Sequence, residues 1–501
     1  MKIHRRFGIS VASAAVAAVA LTGCGASSGA SSGPLETISW MAMLHTPTTP
    51  DPGGPVETAL EDHTGADVEF QWVPDASKDE KINSALASDT LAHIVSLTES
   101  DSSTVRNALT SGQFWDVEEY LADYPNLAEI DPQTLEAARI DGELFGVPFQ
   151  KVKARYGVLV RQDWLDNLGL ETPHTTEELA DVARAFATED PDGNGEDDTT
   201  GFYDRLESFD LGFRSLSGYF GAGDVFELNE DDEVVASFTT DAFTEAMEWY
   251  RGLYEDGAVN NEFVTVQKQN QYDGIAQGKG GIVVTGLFEA KNFQALSESA
   301  DPDTSMSWAL VNDMTHEDVP RRVLSDTNGG FGGWLAIPKS KVPSEEDLRT
   351  VLDFIDKLMD EEAFAAMTNG IEGTHYELDA EGVVTILDQP LWEQEVQPYA
   401  SSRPSEKVVT YSSTTEYVDE GNQKMEENEE YAVTNVAQSL TSEAYNARWT
   451  EVEQTARDAY NKYIVGQIEM DEYQSIIDEL EDGELGTITD EFTAAYAEVN
   501  G

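Results

Sequence analysis

The chain has 501 residues, with 30 Lys and Arg against 96 Asp and Glu and a formal net charge of −66 spread along its whole length. A field of that sign repels phosphate backbones and anionic membrane surfaces, which excludes nucleic acid as a partner and favours a neutral or cationic ligand. A single cysteine rules out an internal disulfide, and the length allows two or three domains with cores of their own.

The N-terminus carries Lys2, Arg5 and Arg6 ahead of a short, small-residue apolar run that ends in Leu21-Thr22-Gly23-Cys24. This is the layout of a secretory signal over residues 1–23, and the run is too short for a transmembrane helix. Residues 24–34 continue as CGASSGASSGP, in which Cys24 is followed by a Gly/Ser tether (25–34) that cannot bury a core, so the fold starts near Leu35. TISWMAML (37–44) reads as a strand, and a turn-rich stretch from His45 to Pro55 leads into the helical PVETALEDHTGA. A second strand, DVEFQWV (67–73), a helix over 77–88 and a third strand, HIVSLTE (93–99), follow. Strands alternating with helices predict a largely parallel α/β sheet. Its ligand crevice then lies beyond the strand carboxyl ends, beside Met41–Thr46 and Thr98–Asp101.

GELFGVPF (142–149) and the sheet-like YGVLV that begins at Tyr156 flank a segment that reads as a crossing between two parts of the molecule. Lys151, Lys153 and Arg155 lie on it, a basic cluster in a very acidic chain, suited either to ligand oxygens or to ion pairs. Further on, Thr175 caps a helix whose Glu178 reaches back to the cap, with Leu179, Val182, Ala183 and Phe186 on one face. That helix runs into a loop over 190–201. There Asp190, Asp192, Asn194 and Asp198 occupy positions 1, 3, 5 and 9 of a calcium-loop pattern, Gly195 supplies the turn, and Glu196 offers its carbonyl. Gly201 stands where the pattern has its bidentate Glu, so Thr199, Glu207, Asp210 or water must complete the shell. With no His or Cys nearby, the loop suits structural Ca²⁺ and not catalysis.

Beyond Thr239 a helix places Phe243, Met247, Tyr250 and Leu253 at core spacing. GIVVTG (281–286) is a buried strand that ends just before Phe288, where a ring is free to stack. MSWALVND (306–313) and GGFGGWLAIP (329–338) are return strands, the second with glycines beside Phe331 and Trp334. A helix over 345–359 and mostly amphipathic helices complete the chain, with no repeat or coiled coil.

The LTGC run, GVPF, RQDWLDNLGLETPHTTEEL, DPDGNGEDDTTG, WYRGLYEDGAV, QGKGGIVV, GGWLAIPKS and NGIEGTHYEL occur in that order. Together they resemble the extracellular solute-binding lipoproteins of carbohydrate ABC transporters, in the subgroup with a calcium loop. The resemblance implies an α/β, two-lobed, periplasmic-binding-protein-like fold with a hinge and an interlobe cleft. One lobe would span 35–152 plus 307–390, the other 153–306 plus 391–501 with the calcium loop. It also implies a monomeric receptor that makes and breaks no bond and passes an oligosaccharide to membrane permeases. After cleavage, diacylglycerol on the Cys24 sulfur and acylation of the new N-terminus (palmitate-type chains) would hold it on the extracellular face of the bacterial cell membrane.

Sugar rings present apolar C–H faces to aromatic side chains, and their hydroxyls seek planar polar groups. The candidate ligand-binding residues are accordingly Trp40, Tyr156, Phe288, Trp334, Trp392 and Tyr411, with Glu99, Lys153, Arg155 and Glu289 as polar partners. Two other readings stay open: a secreted calcium-stabilised glycoside hydrolase, for which 96 acidic residues could supply a carboxylate pair, and a calcium-binding surface adhesin. No G-x-S-x-G elbow, H-E-x-x-H or Gly-rich phosphate loop supports an enzyme.

Overall fold

Two mixed sheets, each with helices packed against it, carry the fold. The computed structural model describes residues 35, 37–98, 102–196 and 198–500, so the expected signal segment, Cys24 and Glu99 lie outside the described residues. The first sheet has five strands in the order Asp67–Pro74, Thr37–Leu44, Ile94–Leu97, Phe331–Ala336 and Gly146–Gln150. The second has four, in the order Trp308–Val311, Tyr156–Arg161, Gly280–Gly286 and Thr200–Phe202.

The expectation of a largely parallel sheet is corrected by the pairing. Thr37–Leu44 is parallel to both its neighbours, but Phe331–Ala336 is antiparallel to both of its own. In the second sheet only Thr200–Phe202 pairs in parallel. The cause is topological. Phe331–Ala336 enters its sheet from the other half of the molecule and not through a βαβ unit, so no crossover helix dictates its direction.

Side-chain alternation then sorts the cores. In Tyr156–Arg161, Val158 and Val160 enter one apolar cluster and Leu159 another, on the opposite face of the four-stranded sheet. The five-stranded sheet has a cluster of its own, built from residues between Ile38 and Phe149 and between Phe331 and Tyr399. The helix Thr176–Thr188 docks on the four-stranded sheet with the capping box in place: Thr175 Oγ1 accepts from Glu178 N (3.2 Å), and Glu178 Oε2 from Thr175 N (3.2 Å).

The chain passes between the two sheets at Gln150–Tyr156, again between Val311 and Phe331, and a third time after Tyr399. These crossings are hydrogen-bonded side by side. Lys151 N donates to Gly330 O, Gln150 N to Pro404 O and Glu406 N to Gln150 O, each at 2.8 Å. Thr327 Oγ1 adds a bond to Val152 O at 2.8 Å, and Asn428 Nδ2 donates to the carbonyls of Ala154 and Tyr156. Two stretches fall on the other side of the division drawn from the sequence. Trp308–Val311 pairs with Tyr156–Arg161 and so packs with the second sheet, while Val396 and Tyr399 pack into the first core.

Candidate functional site

The crossings bring five of the ten expected ligand-binding residues to one place. Tyr156 opens its strand opposite Gly286, the last residue of the neighbouring strand, and the chain then turns through Phe288 and Glu289. Gly286 has to be glycine here, because a Cβ would overlap the Phe288 ring that folds back beside it. The Arg155 guanidinium lies 5.5 Å from the centre of that ring, at cation–π distance. Asp326, on the second crossing, accepts from Arg155 N at 2.8 Å and from its Nε at 2.7 Å. Lys153 pairs with Asp131 at 3.3 Å, and Lys151, on the same segment, with Glu406 at 2.9 Å.

These side chains are enclosed but not sealed: Lys151, Lys153, Arg155 and Glu406 remain 16, 17, 25 and 18 % exposed, enough for a ligand to reach them. Their electrostatics is collective. Burial alone would raise the Glu406 carboxyl, yet Lys151, Arg155 and Arg403 together hold it down at about 2. Burial pushes the Tyr156 phenol up to about 12, helped by Asp326. Burial likewise raises the Tyr272 phenol, with Glu289 adding to the shift. His45, just past the strand Thr37–Leu44, is lowered mainly by burial. It feels Lys151 and also Lys268, from the helix Lys268–Ala276 beside the four-stranded sheet. Charged groups from both halves therefore act on one another around the crossings.

Trp392 and Tyr411 fall in a second group nearby, on the side of the five-stranded sheet. Trp392 donates to Thr368 O at 3.2 Å, Arg403 Nη1 donates to Thr368 Oγ1 at 2.7 Å, and Arg403 lies over the Phe364 ring, on which Tyr411 stacks. Glu289 is buried, with Oε2 accepting from Asn292.

Trp40 and Trp334 are corrected as ligand contacts, since both are 0 % exposed. Trp40 is the fourth residue of an eight-residue strand and donates to Ser96 Oγ at 3.0 Å. Trp334 pairs across to both Leu97 and Pro148 and donates to Ala138 O at 2.8 Å. Mid-strand positions in a covered sheet belong to the core, whatever the side chain's affinity for sugar.

The sequence reading missed Lys291, Arg403, Glu406, Asp326 and Tyr272. One signal was available: Lys291, in the helix Ala290–Ala300, has Leu287, Phe288, Gln294 and Ala295 three and four residues away, so no helical neighbour can neutralise it. A cavity of about 500 Å³ between the helix Ser103–Ala108 and the C-terminal helices is a weaker candidate. Its lining includes Asp141, Glu491 and Glu498 but no aromatic ring on which a sugar could stack.

The loop over 190–201 has the donor chemistry of a hard-cation site. Asp190 accepts from Gly195 N, and Asn194 Nδ2 donates both to Asp192 (2.8 Å) and to Asp198 (3.2 Å), so an amide sits between two carboxylates. The Asp192 carboxyl is raised by burial and by its acidic neighbours Asp190 and Asp198. Among the described residues, no three His, Cys, Asp or Glu side chains are gathered closely enough to hold a metal ion. The missing Glu has a steric reason. A Cβ on Gly201 would lie 2.5 Å from Ala183 O, because this strand packs directly on the helix Thr176–Thr188. The expected replacements are engaged elsewhere: Thr199 donates to Phe186 O, Glu207 pairs with Arg205, and Asp210 pairs with Arg457.

Comparison with known proteins adds a family likeness. Residues 56–375 match the family model described as bacterial extracellular solute-binding protein. The chain is 31% identical over 461 residues to the polygalacturonan/rhamnogalacturonan-binding protein YtcQ of Bacillus subtilis, covering 92% of this chain and 91% of that one. It is also 31% identical over 465 residues to the lipoprotein LipO of the same organism, covering 91% of each. Among solved structures, a Streptococcus pneumoniae ABC-transporter substrate-binding protein, FusA, is similar in fold. It is an EF-hand mutant in complex with fructo-nystose, with a TM-score of 0.68 at 21% identity, covering 92% of this chain and 99% of that one.

Proposed function

Because the chain belongs to the family of bacterial extracellular solute-binding proteins, we propose that the crevice at its crossings holds the ligand. The protein is an extracellular receptor that binds an oligosaccharide and delivers it to the permease of an ABC transporter. The observation that carries the crevice assignment is the convergence of Arg155, Tyr156, Phe288 and Glu289 with side chains of the five-stranded half, beside the hydrogen-bonded crossings between the two halves. A ligand touching both halves favours their closed arrangement, a population shift set by contacts that exist only when closed. The lobes are then 35–150 with 331–402, and 156–311 with the chain from about 418 onward. Tyr156, Phe288, Trp392 and Tyr411 supply stacking faces, with Lys153, Arg155 and Glu289 as polar partners. Lipid on Cys24 anchors the receptor to the outer face of the membrane.

The loop over 190–201 binds structural Ca²⁺ through Asp190, Asp192, Asn194, Asp198 and the Glu196 carbonyl, and water completes the shell because Gly201 cannot be replaced. Its donor set of hard oxygens supports this, as does the EF-hand of FusA, whose structure is that of an EF-hand mutant. The relatives' names span polygalacturonan/rhamnogalacturonan and fructo-nystose, so kinship leaves the class of glycan open.

Thermal unfolding against a panel of oligosaccharides, with calcium and with chelator, tests both readings. A ligand at 100 times its dissociation constant adds about 2.7 kcal/mol of stability. A shift with one sugar family and no release of reducing ends is expected. Hydrolysis of the sugar would refute the receptor reading, and an unfolding curve indifferent to chelator would refute the calcium site.

A further inference from the structure

We propose that Arg106 and Asp141, on the five-stranded half, latch onto the corner Leu440–Ser442 of the four-stranded half, and that this latch sets how far the halves are closed before any ligand arrives. It goes beyond the receptor reading, because it concerns the unliganded protein and contacts outside the candidate ligand-binding residues.

Strand direction fixes where the latch sits. Thr37–Leu44 and Ile94–Leu97 are parallel, and Gly146–Gln150 runs the same way, since it and Ile94–Leu97 are both antiparallel to Phe331–Ala336. Gly146–Gln150 ends at the first crossing, so the carboxyl ends of all three strands share the edge of the sheet that faces the other half. The helix Ser103–Ala108 starts just past Leu97, at that edge, and Arg106 lies in its first turn. Arg106 is only 4 % exposed, and its Nη2 donates to Leu440 O at 3.0 Å. Alongside, Thr441 Oγ1 donates to Asp141 Oδ1.

Both sides of the latch are firmly held. Val105, Leu109 and Ile140 belong to the core of the five-stranded half. Asp141 and Gly142 both have positive φ, 53° and 79°, and Ile140 and Glu143 exchange backbone hydrogen bonds of 3.0 Å around them. This is a two-residue hairpin turn with the Asp-Gly sequence that such turns prefer, and it presents Asp141 at its tip. Opposite, Leu440 belongs to the core of the four-stranded half. Ser442 caps the helix Glu443–Ile464, accepting from Tyr445 N at 2.9 Å and donating to Glu491 Oε2 at 2.6 Å. With both flanks fixed, the two bonds form and break with the motion of the halves and not with a local loop.

The rest of this seam is loosely filled. The cavity of about 500 Å³ lies between the same elements, with Arg106 and Asp141 on one wall and Asn446 and Glu491 on the other. Arg106 Nε and Asn446 Oδ1 are buried there without a protein partner among the described residues. Polar walls and that volume admit water, so parting the seam exposes little new apolar surface. The closed arrangement here therefore depends on a few directional bonds, and removing one shifts the balance between closed and open halves without opening a core.

The test uses the full chain carrying Cys24→Ser, with spin labels at two exposed positions. One is Glu80→Cys, on the helix Lys78–Ser88 of the five-stranded half; the other is Glu248→Cys, on the helix Asp241–Glu255 of the four-stranded half. Pulsed electron spin resonance reads their separation without ligand. With the latch intact, a population at the separation set by the structure is expected. Arg106→Met should raise the ratio of longer separations to that one by about tenfold, the lower end of the range for a hydrogen bond to a charged group. Thr441→Val, at a half-buried position that tolerates the change if Arg106→Met fails to fold, should raise it by about threefold. Unchanged separations in the folded latch variants, a shift to shorter ones, or a latch-intact chain that lacks the structural separation overturns the latch. For a sugar found by the unfolding panel, affinity should fall in proportion to the closed fraction; an affinity that does not follow it overturns the latch's role in closure. An empty panel overturns the receptor reading instead, and the spin-label result still decides the latch.

Discussion

Glu406→Gln tests whether the crossings are held by charge. Glu406 Oε1 lies 2.9 Å from Lys151 Nζ, the two side chains are 18 and 16 % exposed, and Arg155 and Arg403 act on the same carboxylate. With its pKa at about 2, against an ordinary Glu value near ~4.3, the shift is roughly two units, worth about 3 kcal/mol. This agrees with the ~3–5 kcal/mol lost when one member of a buried pair is removed. The folded-state pKa is depressed, so the contribution is fully present above the unfolded-state value and is lost as pH falls through about 2. Urea unfolding should therefore show Glu406→Gln less stable by about 3 kcal/mol at pH 7 and unchanged in that deficit at about pH 5.5. The deficit should shrink steadily below about pH 4. Burial lowers the Lys151 pKa, so that ammonium is itself costly to bury. Adding Lys151→Met to the Glu406 variant should recover more than half of the loss. A deficit under about 1 kcal/mol at neutral pH, or one that does not fall on acidification, would refute the reasoning.

The corrected residues give contrasting outcomes. Trp40→Phe removes the bond to Ser96 Oγ and part of a fully buried side chain, so it should cost about 1–3 kcal/mol in urea unfolding and leave sugar affinity unchanged; an affinity loss without destabilisation would return Trp40 to the site. Phe288→Ala should do the reverse, weakening sugar binding by about tenfold in titration with a smaller stability change, because its ring is only half-buried at the crevice. Gly201→Glu would complete the calcium-loop consensus on paper. It should nevertheless destabilise by more than about 2 kcal/mol in calcium, because the new Cβ meets Ala183 backbone; a gain in the calcium-dependent unfolding midpoint would refute the steric account.

Particular elements show where local pattern sufficed. The strand Thr37–Leu44, the capped helix Thr176–Thr188 and the return strand Trp308–Val311 were legible because alternation, capping chemistry and apolar spacing are encoded within a dozen residues. The cation cluster at 151–155 was visible for the same reason. Trp40 and Trp334 were misassigned because aromatic identity says nothing about how many layers cover a strand. The parallel sheet was misjudged because strand direction depends on where the chain returns from, over a separation of about 180 residues between Gln150 and Phe331.

The sequence by itself determined the family, the order of elements and the loop with calcium-type donors, since each is written in contiguous residues. Only the tertiary structure decided the charge of the crevice. Lys151 and Glu406 are 255 positions apart in the chain and meet at 2.9 Å because both lie on segments that cross between the two sheets. Whether a cation is neutralised depends on the carboxylates within a few ångströms of it in space. Composition averages that distinction away, so a chain of net charge −66 can still gather Lys151, Arg155 and Arg403 around one carboxylate, Glu406.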